Sequence, residues 1–262
     1  MKTTHLSFAT CGAVTCLWVL FLSLAGCSKN EQPTPEAGKP KQGHATGKVT
    51  DSQGNPIAGA KILLDNTMLY ASYINATTGD DGTYSIKMPT GAYGIWKAYA
   101  TITREYHGKT YTMDLHPDKT DSFNEEGAER SFTWKLTGKK PEDEFFYYGG
   151  SIRIGPAVGS IIPDNKNIVV IIEPDGPLID GTIGEMLTIP YGDVKWQDPV
   201  EIKEIPIGRY KAIAVYHDEM GDYLLRLRNL ETEGIFEEVL TFGFEPESRW
   251  GYDNTVSLEF HE

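Results

Sequence analysis

The chain has 262 residues and a formal net charge of -13, from 24 Lys and Arg against 37 Asp and Glu. A composition with 40% hydrophobic and 23% charged residues excludes wholesale disorder. The acidity excludes nucleic acid or an anionic membrane surface as the main electrostatic partner, because both need clustered positive charge. Three cysteines are too few for a disulfide scaffold. The charge is uneven along the chain. Residues 1–44 carry four basic and two acidic side chains, residues 45–138 nine and eleven, and residues 139–262 eleven and twenty-four. The acidity therefore belongs to the C-terminal half, and the two halves are read separately.

Lys2 is followed by no Lys, Arg, Asp or Glu until Lys29, and the densest apolar run is Cys16 to Ala25. That run is much shorter than the ~20 residues of a membrane-spanning helix and has the length of a signal-peptide core. It ends in Leu24-Ala25-Gly26-Cys27, which resembles the lipobox of bacterial lipoproteins. The resemblance implies a signal peptide over 1–26, cleavage before Cys27, a diacylglycerol on its thiol and an acyl chain such as palmitate on its amine. Cys11 and Cys16 would leave with the signal peptide, so the mature chain has no disulfide. Ser28, where an Asp would mark inner-membrane retention in enteric bacteria, implies an outer-membrane address in a Gram-negative envelope. Residues 27–44 hold Pro, Gly, Lys, Glu and Gln and no large apolar side chain, the composition of a flexible tether.

From Ala45 the texture changes to short alternating runs separated by turn residues, with no long 3.6-residue period. Asp51-Ser52-Gln53-Gly54-Asn55-Pro56 and Asp81-Gly82 mark turns, and Pro89-Thr90-Gly91 marks another. Asp51, Asp80 and Asp81 read as turn residues that accept backbone amides rather than as calcium ligands. The order G-x-V-x-D-x-x-G-x-P-I-x-G-A over Gly47–Ala60, then T-x-x-D-x-G-x-Y-x-I-x-x-P-x-G-x-Y-x-I over Thr77–Ile95, resembles the carboxypeptidase regulatory-like domain. The resemblance implies a small transthyretin-like antiparallel β-sandwich over 45–138, closed by Arg130–Leu136, and implies no peptidase activity.

Residues 139–262 read as a second, acidic β-sandwich. YSIKMPTGAYGIWKAYA and VEIKEIPIGRYKAIAVY share an alternating strand, a Pro near a turn, then Gly, one residue and Tyr. Pro89, Gly91 and Tyr93 correspond to Pro206, Gly208 and Tyr210, and RSFTWKL at 130–136 is similar to TVSLEF at 255–260. This makes the second sandwich a candidate divergent repeat, with an immunoglobulin-like sandwich as the other possibility. The fold class expected is all-β, two tandem antiparallel β-sandwiches joined by the polar segment 137–144. The aromatics Phe145-Phe146-Tyr147-Tyr148 are expected to pack between the two or onto the first strand of the second.

Motifs that carry chemistry are few. There is no G-x-S-x-G, no H-E-x-x-H and no phosphate-binding loop. Tyr106, His107, Tyr111, Asp114, His116 and Asp118 crowd together, and His107 with His116 forms a candidate metal pair, because neutral imidazole and carboxylate ligate transition metals. If Tyr93 and Ile95 face the core, as the family pattern implies, alternation turns Trp96 outward, where with Tyr106 and Tyr111 nearby it could stack on sugar rings; the other reading is that Trp96 packs against the second domain or under a loop. The expectation is a non-enzymatic envelope lipoprotein without a cofactor. It is held to the membrane through Cys27 and serves as a binding or scaffolding module for a protein or glycan, not for nucleic acid. The alternatives are a carbohydrate-binding accessory protein and a metal-dependent enzyme built on the His107–His116 region.

Overall fold

A computed structural model of the chain describes residues 41–262 except 90–93, 142, 163–164, 193–199, 233, 248–250 and 252. Cys27, the signal peptide and most of the tether lie outside the described residues, as do Gly91 and Tyr93. Pro40–Glu262 forms one compact unit. Among the described residues no helix is long and apolar enough to cross a membrane.

The N-terminal half contains β1 (His44–Thr50), β2 (Lys61–Asn66), β3 (Tyr73–Thr77), β4 (Thr83–Lys87), β5 (Trp96–Tyr106), β6 (Lys109–Asp114), β7 (His116–Pro117), β8 (Ala128–Glu129) and β9 (Phe132–Thr133). Alternation builds these strands. In β4, Tyr84 and Ile86 are buried between exposed Thr83, Ser85 and Lys87, and in β2 Ile62 and Leu64 point inward. One sheet runs β4-β1-β9-β7 with β8 also on β1, and the other runs β3-β2-β5-β6. The turn after β1 is held by the Asp51 carboxylate, which accepts the amides of Gln53 at 2.9 Å and Asn55 at 2.8 Å. Thr83 donates its amide to Asp81 at 3.0 Å. Both carboxylates therefore do the turn-forming work expected of them.

The C-terminal half contains β10 (Lys139–Lys140), β11 (Asp143–Tyr147), β12 (Gly150–Pro156), β13 (Ile168–Pro174), β14 (Leu187–Pro190), β15 (Val200–Ile205), β16 (Arg209–Asp218), β17 (Gly221–Asn229), β18 (Leu240–Gly243), β19 (Glu245–Glu247) and β20 (Asp253–His261). The polar segment at 137–144 is not a plain connection, because β10 and β11 pair as a hairpin. Beyond it, the strands form one nine-stranded sheet in the order β14-β13-β16-β17-β20-β12-β15. β17 pairs with β16 through its first half and with β20 through its second, while β18 lies on β16 and β19 on β20. Two stretches of chain thus turn the same corner, and Phe244 sits at the bend between β18 and β19 with no exposed surface.

The pairing pattern of the first half recurs in the second. β1 is antiparallel to β4 and parallel to β8 and β9, and β12 is antiparallel to β15 and parallel to β20. β5 lies between β2 and β6, and β16 lies between β13 and β17. β3 flanks β2 as β14 flanks β13. Ile86 opposes Ala45, and Ile202 opposes Ile152. On the other side of the same strands, Phe132 opposes Val49 and Phe260 opposes Pro156. The two copies of the Ile-Lys strand differ by one residue before the proline (IKMP against IKEIP). The extra residue is absorbed as a bulge on β15, where Glu204 takes φ 63° and the register against β12 shifts.

Candidate functional site

The crowded segment 104–121 is organised by the β5–β6 hairpin. Tyr106 pairs with Lys109, and the two residues between them, His107 and Gly108, have φ of 46° and 78°. That is the two-residue turn whose twist matches flanking strands, and it needs left-handed backbone at both positions. Alternation then sets Lys109, Tyr111 and Met113 on one face of β6. Met113 enters the N-terminal core, while Lys109 and Tyr111, nearer the hairpin tip, meet the C-terminal half.

The contacts form a polar seam. The Tyr106 hydroxyl donates to the Pro177 carbonyl at 2.8 Å and accepts the Arg209 amide at 3.0 Å. The Tyr111 hydroxyl donates to the Phe244 carbonyl at 2.7 Å, and the two tyrosine rings meet edge to face at 6.3 Å. Lys109 Nζ reaches Glu245 Oε1 at 2.6 Å. Arg209 donates Nε to Asp175 at 2.7 Å and Lys211 Nζ lies 3.0 Å from the same carboxylate. Hydrogen bonds from Lys211 and Arg209 hold that carboxyl below the usual range. Burial pushes the Tyr106 and Tyr111 phenols above their ordinary values, so both remain neutral donors at any physiological pH.

The seam continues onto the connecting hairpin. His116 Nδ1 lies 3.2 Å from the Tyr148 hydroxyl, with the rings edge to face at 5.6 Å, and Lys140 Nζ lies 2.5 Å from Asp114. Burial, with Lys135 nearby, lowers the His116 pKa and favours the neutral ring. Tyr148 is buried, and Tyr147 stands under the ammonium groups of Lys139 and Lys203. Phe145 and Phe146 are exposed, and Tyr147 is half-buried.

The candidate residues are therefore placed as follows. Trp96 is not an outward stacking platform: it is 3% exposed, whereas Ile95 is 42% exposed. The reason is phase. β5 begins at Trp96, which is fixed opposite Asn66 and bridged to Phe123 by two backbone hydrogen bonds, and this turns Trp96, Ala100 and Ile102 inward. Tyr106 and Tyr111, the other two ligand-stacking candidates, are engaged in the seam. His107 is exposed in the hairpin turn, and His116 lies beyond the far end of β6, roughly 20 Å away at the rise of an extended strand. Their separation corrects the metal-pair expectation. Among the described residues no group of three or more His, Cys, Asp or Glu side chains is placed to hold a metal ion. Lys109, Pro177, Arg209, Phe244 and Glu245 were not singled out from the sequence. Their partners lie dozens to more than a hundred positions away, and one sequence carries no signal for such pairings.

Residues 45–120 match the carboxypeptidase regulatory-like domain family. The match stops short of β8 and β9, which complete the sheet on β1. Structural protein 27 of a virus (isolate Australia/Victoria) is 36% identical over 81 residues, 29% of this chain and 15% of that protein. Solved structures that resemble the chain include the Bacillus anthracis TIE protein, at 11% identity and TM-score 0.36 over 84% of this chain and 34% of that one. A C-terminal fragment of the pilus adhesin SpaC from Lactobacillus rhamnosus GG gives 10% identity and TM-score 0.25 over 84% and 97%. This chain thus spans about a third of the TIE protein and a smaller share of the viral relative.

Proposed function

We propose that the protein is a non-enzymatic lipoprotein of the bacterial cell envelope, held through acylated Cys27 and acting as a binding or scaffolding module for a protein or glycan partner. Residues 1–26 are its signal peptide, 27–44 its tether, and 45–138 and 139–262 two tandem β-sandwiches, the second a divergent copy of the first. The repeated strand order supports that division. The observation that carries the non-enzymatic reading is the seam: Tyr106, Tyr111 and His116, the most site-like side chains in the sequence, are all engaged between the halves. The carboxypeptidase regulatory-like match over 45–120 supports the same reading, since that domain is the non-catalytic part of the peptidases it accompanies. The anchor rests on Leu24-Ala25-Gly26-Cys27, and Ser28 supports an outer-membrane address.

Cell fractionation tests the anchor. The unaltered chain is expected in the membrane pellet and Cys27→Ser in the soluble fraction, because one or more acyl chains supply the attachment. Cys27→Ser remaining with the membrane would refute it.

A further inference from the structure

The loop between β2 and β3 carries Met68, Leu69 and Tyr70, which are 65%, 53% and 101% exposed. Three consecutive apolar side chains this exposed are a candidate interaction surface. The loop is not slack. Asn66 is buried, and its Oδ1 accepts the amides of Met68 at 3.0 Å and Leu69 at 3.1 Å. The Thr67 amide and hydroxyl both donate to the Ile95 carbonyl at 2.8 Å. Polar groups thus fix the backbone from inside while the apolar side chains of the loop, with that of Ile95, are displayed to solvent.

This tip lies at the end of the half where the tether enters. The last residue of β2, Asn66, opposes Trp96, and Trp96 is bridged to Phe123. Two residues beyond Phe123, the Glu125 carbonyl accepts the amide of Gly43, and the Gly43 carbonyl accepts the amide of Met88. Gly43, the point at which the chain from Cys27 arrives, is thus linked to the exposed loop through Glu125, Phe123, Trp96 and Asn66. About 16 residues separate Cys27 from Gly43. A flexible coil of that length has a root-mean-square span of about 20–24 Å. With Cys27 in a bilayer, a tether this short would keep the tip at a high effective concentration beside it, so that even weak affinity there would hold it.

We infer that the Met68-Leu69-Tyr70 loop, with Ile95, docks on the interfacial layer of the bilayer that carries acylated Cys27. The inference rests on the lipid-anchor reading. The chemistry matches: Tyr favours the headgroup level, and Leu and Met the acyl boundary. Lys41 and Lys87 at this end are offset by Glu125 and Glu126. The contact is therefore apolar in character and should persist at high salt.

The test uses the full lipoprotein reconstituted in phosphatidylethanolamine–phosphatidylglycerol vesicles. Tyr70→Cys carries a nitroxide, and Val158→Cys, at a fully exposed site past the end of β12, carries the control label. Collision with oxygen and with an aqueous nickel chelate is measured after flotation, at low and high salt. The expected result is a several-fold higher oxygen-to-nickel ratio at position 70 than at 158, unchanged by salt. Equal, water-like ratios in floating protein would overturn the docking alone. Dipolar broadening between labels at position 70 would place a second copy on the loop and overturn it too. Protein that fails to float would overturn the anchor reading and the docking with it.

Discussion

Phe244→Ala is expected to destabilise the chain by about 3–5 kcal/mol, the range for truncating a large buried aromatic. Phe244 has no exposed surface, meets the rings of Tyr210 and Phe242 at 6.1 Å each, and closes over Gly150 so tightly that a Cβ there would lie 2.6 Å from its ring. Its carbonyl also accepts the Tyr111 hydroxyl from the other half. One residue thus fills the corner between β18 and β19 and carries an acceptor of the seam. The surrounding strands are fixed by their ladders, so the cavity cannot collapse cheaply. Urea unfolding checks this through the midpoint at unchanged slope. A loss below about 1 kcal/mol would mean that neighbours refill the corner, contrary to the packing described.

Gly47→Val is expected to cost at least about 4 kcal/mol or to prevent folding of the N-terminal half, an effect of exceptional size for one substitution. A Cβ at Gly47 would lie 1.7 Å from the Arg130 carbonyl oxygen and 2.9 Å from the Tyr84 ring. That carbonyl is held in place because it accepts the Tyr84 hydroxyl at 2.6 Å, while the Arg130 amide donates to Thr46 at 2.8 Å. Backbone, not a flexible side-chain end, blocks the space, so relief requires parting β1 from the chain between β8 and β9. Gly54→Ala is the contrast. Its φ of 86° makes it unfavourable, but nothing lies within 4 Å, so the cost is expected near 1 kcal/mol. Comparable stability of Gly47→Val and Gly54→Ala by circular dichroism melting would contradict the close approach.

The difference between what was legible and what was not follows from distance along the chain. Turns built by Asp51 and Asp81 and the alternation of β2, β4 and β16 are local, so residue types and spacing specify them. Gly47 could be marked as part of a family pattern, but the reason for it, the Arg130 carbonyl, lies across the sheet. The outward-stacking alternative for Trp96 is overturned by the phase of one strand, which leaves the packed alternative. Ile95 stops short of β5, its carbonyl taken by Thr67, and the alternation therefore starts one residue later than the pattern implied. Tyr106, Tyr111, His107 and His116 are genuinely near one another in sequence, which is why they suggested a site. The two-residue turn and the length of β6 separate the histidines, and the tyrosines are spent on partners such as Pro177 and Phe244 that no local pattern connects to them.

The most direct test of the claim that these residues fasten the halves together is calorimetry of the unaltered chain and of a Tyr106→Phe/Tyr111→Phe variant. The unaltered chain is expected to give a single transition with calorimetric and van't Hoff enthalpies in agreement. Removing both hydroxyls leaves the Pro177 and Phe244 carbonyls and the Arg209 amide without those partners. At about 1 kcal/mol per lost hydrogen bond the melting temperature is expected to fall by several degrees, with the transition broadening toward two. Two separated transitions in the unaltered chain, or a variant that melts as the unaltered chain does, would contradict the fastening role of the seam.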